Sequence, residues 1–188
     1  SAHIIGLASA LRHAYGLGVQ QEAYLKDAMR AAYRNFGISE GRINIEDVQS
    51  FPDFNQIAEE LDEISQTTRN RLDPLFALDI FRDEHRNISF SEVLSSRIIL
   101  DLSQIQSEDV QNALACMTIY SSHKYFNSQA QTGMLKRIFV FDEAHRVLKS
   151  PDIERLSREC RAYGVGVVLS SQKPSDFPSN VLSNLSTR

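Results

Sequence analysis

Two adjacent carboxylates stand at the end of a short apolar run in Arg137-Ile-Phe-Val-Phe-Asp142-Glu143-Ala-His145-Arg146. Such a run reads as a strand buried on both faces, and the carboxyl ends of strands are where α/β sheets hold ligands. Two neighbouring acids there can divide labour. Asp142 would sit in the shell of a magnesium ion, and Glu143 would orient and activate the water that attacks a terminal phosphate. The competing reading has Asp142 capping a loop while Glu143 and His145 form a solvated surface pair. A second apolar run, Val165-Gly-Val-Val-Leu169, ends in Ser170-Ser171-Gln172-Lys173-Pro174. Gln172 is neutral and long enough to hydrogen-bond a phosphate oxygen or the attacking water, and Pro174 fixes the exit from the strand. Alone, Gln172 reads equally well as a glutamine that satisfies loop backbone. The two strand ends together favour a nucleotide site.

The elements that must position these residues follow from periodicity. His3 to Tyr15 keeps helical spacing until Gly16 and Gly18 break it, and a second helix with Leu25, Ala28, Met29, Ala32 and Phe36 ends where Gly37 suits a left-handed cap. Pro52-Asp53 opens a third helix, whose apolar face runs from Phe54 to Leu72 and which Asp73-Pro74 is expected to stop. Ser89 and Glu92 have capping-box spacing ahead of a short helix. Ile98-Ile-Leu100 reads as a strand buried on both faces, closed by Asp101-Leu102-Ser103. Ser107 begins a long helix that is apolar around much of its circumference. A further helix starts at Ser150-Pro151 and runs through Ile153, Leu156, Cys160 and Tyr163 to Gly164. Strands at 98–100, 138–141 and 165–169 separated by helices imply an α/β fold with a parallel sheet.

Composition narrows the class. The 188 residues are 42% hydrophobic and 23% charged, the balance of a folded globular chain rather than a disordered one. Lys and Arg total 20 against 24 Asp and Glu, so the chain as a whole is no basic nucleic-acid binder and any DNA contact is local. Cys116 and Cys160 fall in helical patterns as small apolar residues, which argues against a disulfide framework or thiolate metal site. No apolar run approaches the roughly 20 residues of a membrane span, so no membrane partner is expected and the cytoplasm is the default. The start at Ser1-Ala2, without Met, suggests a segment of something longer.

The Asp142-Glu143 box resembles a Walker B motif, and three segments in order resemble the HerA-like branch of the HerA/FtsK superfamily of hexameric DNA-pumping ATPases. They are Asp142-Glu143-Ala-His145; Arg158-Glu-Cys-Arg161-Ala-Tyr163-Gly164-Val-Gly166; and Ser171-Gln172-Lys-Pro174-Ser175-Asp-Phe-Pro-Ser-Asn-Val181-Leu182-Ser-Asn184. The likeness is clearest from about Arg97 to Arg188. It implies a partial RecA-like P-loop NTPase core over residues 96–188, preceded by a helical insertion over residues 1–95. Asp142 would then serve the metal, Glu143 would be the catalytic base and Gln172 the polar sensor, all three lining the nucleotide. Arg161 would approach a phosphate in cis or in a neighbouring subunit. A helix C-terminal contact for Arg161 and a surface ion pair for Arg158 are the plainer alternatives.

The resemblance further implies ATP and Mg2+, double-stranded DNA as the track, self-association as a hexamer, and a nuclease or restriction partner in some systems. His145 would relay between nucleotide and DNA states, or would simply be satisfied by a neighbouring carboxylate. Tyr120, His123, Tyr125 and Phe126 read as core or interface rather than a base-stacking patch. One departure stands out: none of the 8 glycines belongs to a Gly-x-x-x-x-Gly-Lys-Ser/Thr loop. These residues alone are therefore expected to bind ATP weakly and not to hydrolyse it. A DEAD/DEAH-type helicase core and a non-catalytic ATPase-like scaffold are the competing assignments.

Overall fold

The computed structural model describes residues 2–38, 51–78, 90–148 and 150–185. Its elements in chain order are α1 (Ala2–Tyr15), α2 (Val19–Asn35), α3 (Phe54–Ile64), α4 (Gln66–Phe76), α5 (Phe90–Ser95), α6 (Glu108–Asn127), β1 (Thr132–Phe141), α7 (Pro151–Glu159), β2 (Tyr163–Leu169) and α8 (Ser179–Leu182).

The helices before β1 bury the stripes their periodicity predicts. Ile4, Ala8, Leu11 and Tyr15 of α1 pack with Leu25, Ala28, Met29 and Ala32 of α2, Ile57 and Leu61 of α3, and Leu72 and Leu75 of α4. Gly37 takes φ 74 and closes α2: its N–H donates to the Arg34 carbonyl at 2.9 Å, and the Ile38 N–H donates to the Tyr33 carbonyl at 2.9 Å. At the start of α3 the Asp53 carboxylate accepts the Asn55 and Gln56 N–H groups, while the Gln56 side chain accepts the Asp53 N–H, a full capping box.

The expected single helix from Pro52 to Asp73 is two. Ser65 leaves helical geometry at φ -163, ψ 94, and its hydroxyl caps α4 by accepting the Thr68 N–H at 3.3 Å. The apolar stripe continues across this break, so periodicity alone reads one helix. Pro74 does not stop the chain either, since α4 runs on to Phe76. A proline that late removes a single backbone bond, and burial of Leu75 and Phe76 outweighs its roughly 3 kcal/mol penalty. The capping serine expected at Ser89 lies outside the described residues.

Ile98-Ile99-Leu100 is not a strand. Ile99 is 94% exposed and its two neighbours are more than half exposed. Asp101 instead accepts the Ser103 N–H at 2.9 Å, and the Gln111 side chain donates to the Leu102 and Ile105 carbonyls, so this stretch is tied to α6 rather than to a sheet. An apolar run signals a tendency to burial, but a strand also needs a hydrogen-bonding neighbour.

α6 starts at an N-cap Ser107 and joins two cores. Its Val110 and Ala113 enter the helical core, while Ile119 and Phe126 enter a second core with Ile153 and Leu156 of α7 and Val165 of β2. Gly6 of α1 lies against the Tyr120 ring, whose hydroxyl donates to the Ala2 and His3 carbonyls. Tyr120 and Phe126 are buried, and Phe126 meets Phe139 edge-on with ring centroids 5.6 Å apart, so these aromatics are core.

Among the described residues the sheet has two strands, β1 and β2, paired in parallel. Arg137 to Phe141 run opposite Val165 to Leu169 in unbroken register, while the segment before Arg137 is irregular. Phe139, Phe141, Val165, Val167 and Leu169 face the second core. Ile138, Val140 and Val168 on the other face are 57%, 66% and 48% exposed. The expectation of strands buried on both faces thus holds for one face only, because α6 and α7 lie on that side and no described element covers the other. β1 begins six residues earlier than its apolar run suggests, and α7 passes into a 3-10 turn at Cys160–Ala162 instead of staying α-helical to Tyr163. Among the described residues no helix is long and apolar enough to cross a membrane.

Candidate functional site

β1 and β2 end side by side, and their carboxyl ends are laced together by backbone. The Ser170 N–H donates to the Phe141 carbonyl at 2.9 Å, and the Ala144 N–H donates to the Ser170 carbonyl at 2.7 Å. Between these bonds the chain turns through Glu143 at φ 52, ψ 44, the one non-glycine residue with positive φ among those described. A left-handed backbone at a non-glycine residue costs about 1–2 kcal/mol and persists only where its surroundings enforce it. Here the enforcement comes from the Ser170 lacing and from Ala144, which is fully buried with Leu148 and Val181 in a small third core.

The consequence is a convergent polar cluster. Gln172 Nε2 donates to Glu143 Oε1 at 3.0 Å and to Oε2 at 3.3 Å. His145 Nδ1 stands 3.2 Å from Glu143 Oε2. The Glu143 N–H donates to Asp142 Oδ1 at 3.1 Å, and Asp142 is exposed. The sequence reading thus placed Asp142, Glu143 and Gln172 correctly at adjacent strand ends. Arg146 leaves the cluster: its guanidinium donates to Gln111 of α6 at 2.9 Å and ties the loop after β1 to that helix.

Arg161 is not brought to this cluster. It lies exposed in the Cys160–Ala162 turn at the amino end of β2, and the seven residues of that strand separate it from Gln172 by about 20 Å or more at ~3.3 Å per residue. Arg161 and the Glu143–Gln172 pair therefore stand at opposite ends of β2. Arg158 forms the surface pair that was the plainer reading, Nη2 to Glu159 Oε1 at 2.8 Å.

Two features of the site escaped the sequence. Glutamate carries no signal for left-handed backbone, so the turn at Glu143 was illegible. Asp176 was legible in principle, standing three residues beyond Lys173 with Pro174 between, the spacing of a capping acid. Its carboxylate accepts the Ser171 hydroxyl at 2.6 Å and the Lys173 N–H at 3.2 Å, and the Ser171 bond above all holds its carboxyl below the usual aspartate range.

The donor set bears on which ligand fits. No group of three or more His, Cys, Asp or Glu side chains among the described residues can hold a metal by itself. A cation bound through one carboxylate, with its other ligands from water and a phosphorylated substrate, suits magnesium and an exposed Asp142.

No curated protein matches the chain. Residues 131–188, the stretch that carries β1, β2 and the whole strand-end cluster, match the family model described as Helicase HerA-like C-terminal.

Proposed function

We propose that the strand-end cluster is the metal-and-water half of an ATP hydrolysis site in a HerA-type DNA translocase, with residues 96–188 forming part of its RecA-like core and residues 1–95 a helical insertion. The observation that carries this reading is the bond from Gln172 to Glu143 at 3.0 Å across two parallel strand ends, with Asp142 as the adjoining residue. The family match over residues 131–188 supports the same reading.

Each residue has a task that its position allows. Asp142, exposed at the end of β1, would offer carboxylate oxygens to a magnesium ion, which when bound would supply positive charge beside the phosphates of the nucleotide. Glu143 takes the proton of the attacking water, and the left-handed turn fixes the backbone from which its side chain reaches the strand ends. In the present arrangement Gln172 and His145 occupy both Glu143 oxygens. Gln172 would exchange that bond for one to the water or a γ-phosphate oxygen, so that nucleotide state is felt at the end of β2. Arg161, at the far end of β2, suits a site on a neighbouring subunit of a hexamer.

The 188 residues hold no phosphate-binding loop, so hydrolysis belongs to a molecule in which another segment or chain supplies one. Double-stranded DNA is the proposed track, and a nuclease or restriction partner is a further implication. The test is Glu143→Gln in the full-length protein, with nucleotide affinity and turnover measured together. Retained ATP binding with turnover reduced at least a hundredfold supports the assignment. Unchanged turnover overturns it.

A further inference from the structure

We propose that Asp176 is a positioning residue that aims Gln172 at Glu143. Its effect on turnover rests on the function proposed above, whereas its geometric role does not. Gln172 lies on an exposed turn, where a long amide side chain has little packing to fix its direction and loses rotamer entropy when it is held. The residues on either side of it are held by a single atom. Asp176 Oδ2 accepts the Ser171 hydroxyl at 2.6 Å and the Lys173 backbone N–H at 3.2 Å. A carboxylate acceptor makes both bonds charge-assisted, and together they fix the chain immediately before and after Gln172.

The remaining surroundings act in the same sense. Asp176 itself is held by the 3-10 turn Pro174–Asp176, and the following Phe177 packs on the small core that also buries Ala144. The clamp on Gln172 and the turn that carries Glu143 thus share one anchor. Lys173 and His145 both place favourable charge near Asp176, and His145 is also 3.2 Å from Glu143. Asp176 bonds to Ser171 and to the Lys173 backbone rather than to Glu143 or Gln172, so it acts through the backbone.

Two readouts test this. In the 15N-labelled chain, relaxation of the Gln172 side-chain amide should report an ordered group in the wild type and an unrestrained one in Asp176→Ala. Ser171→Ala should give an intermediate result, and Asp176→Asn, which keeps an acceptor oxygen, should restore much of the order. In the full-length protein, Asp176→Ala should lower kcat roughly tenfold while leaving KM for ATP within about twofold. Ser171→Ala removes one of the two bonds without touching the turn, so it decides the matter if Asp176→Ala does not fold. A Gln172 amide as ordered in the folded variants as in the wild type overturns the proposal. A mobilised amide with unchanged turnover supports the positioning role and instead overturns the sensor role of Gln172.

Discussion

Gly164→Ala should break the strand alignment on which the site depends. Gly164 takes φ 72 at the start of β2, and a Cβ built there would overlap the Met134 carbonyl oxygen well inside van der Waals contact, with the Thr132 side chain also too close and Lys136 in contact. These three residues belong to the irregular part of β1 that folds over the beginning of β2. A left-handed alanine costs about 1–2 kcal/mol. Displacing backbone that cannot yield as a flexible side chain would adds roughly 1–3 kcal/mol. The sum, about 2–5 kcal/mol, is a large share of the 5–15 kcal/mol typical of a folded protein. Gly166→Ala is the internal control: its φ is ordinary and its nearest neighbour, Leu135 Cδ1, is 3.4 Å from the added methyl, so a change within about 1 kcal/mol is expected. With no tryptophan in the chain, urea unfolding is best followed by far-UV circular dichroism. A Gly164→Ala midpoint equal to that of Gly166→Ala would refute the close approach of β1 over β2.

Other perturbations probe separate parts of the account. Leu156→Ala removes a fully buried side chain from the core beneath the sheet and should lower unfolding free energy by about 2–5 kcal/mol in the same assay. Asp152 is buried at the start of α7, and that burial raises its carboxyl above the ordinary aspartate value of 3.8. Because the folded form holds its proton more tightly, the resulting destabilisation is absent at low pH and grows as pH climbs from 3.8 through the raised folded value. Asp152→Asn should accordingly be more stable than the wild type at pH 7, with the advantage vanishing toward pH 4; a constant difference between the two would contradict this. Burial also pushes the Cys116 thiol up to about 11, so an alkylating reagent at pH 7.5 should modify neither Cys116 nor Cys160, which is also buried, until denaturant is added.

What the sequence disclosed, and what it concealed, has a physical pattern. Asp142, Glu143 and Gln172 were legible because each follows an apolar run, and a parallel sheet brings the ends of such runs together. The helix termini at Ser107, Ser150 and Gly37 were legible because caps are local chemistry. Ile98-Ile99-Leu100 misled because its apolar character says nothing about a pairing partner. The break at Ser65 was hidden by an apolar stripe that carries across it, and Pro74 was overruled by burial of the residues after it. Arg161 was drawn toward the site by its place in a family segment, although the length of β2 sets it at the opposite end. The left-handed turn at Glu143 arises from tertiary lacing to Ser170, which no local pattern encodes.

The most direct test of the central claim is ATP turnover by the full-length protein with and without double-stranded DNA, wild type beside Glu143→Gln. The account predicts turnover that rises with DNA in the wild type and nearly vanishes in the variant under both conditions. DNA-stimulated turnover surviving in Glu143→Gln, or the absence of turnover in the wild type, would contradict it, and the second result would make the strand-end cluster part of a scaffold.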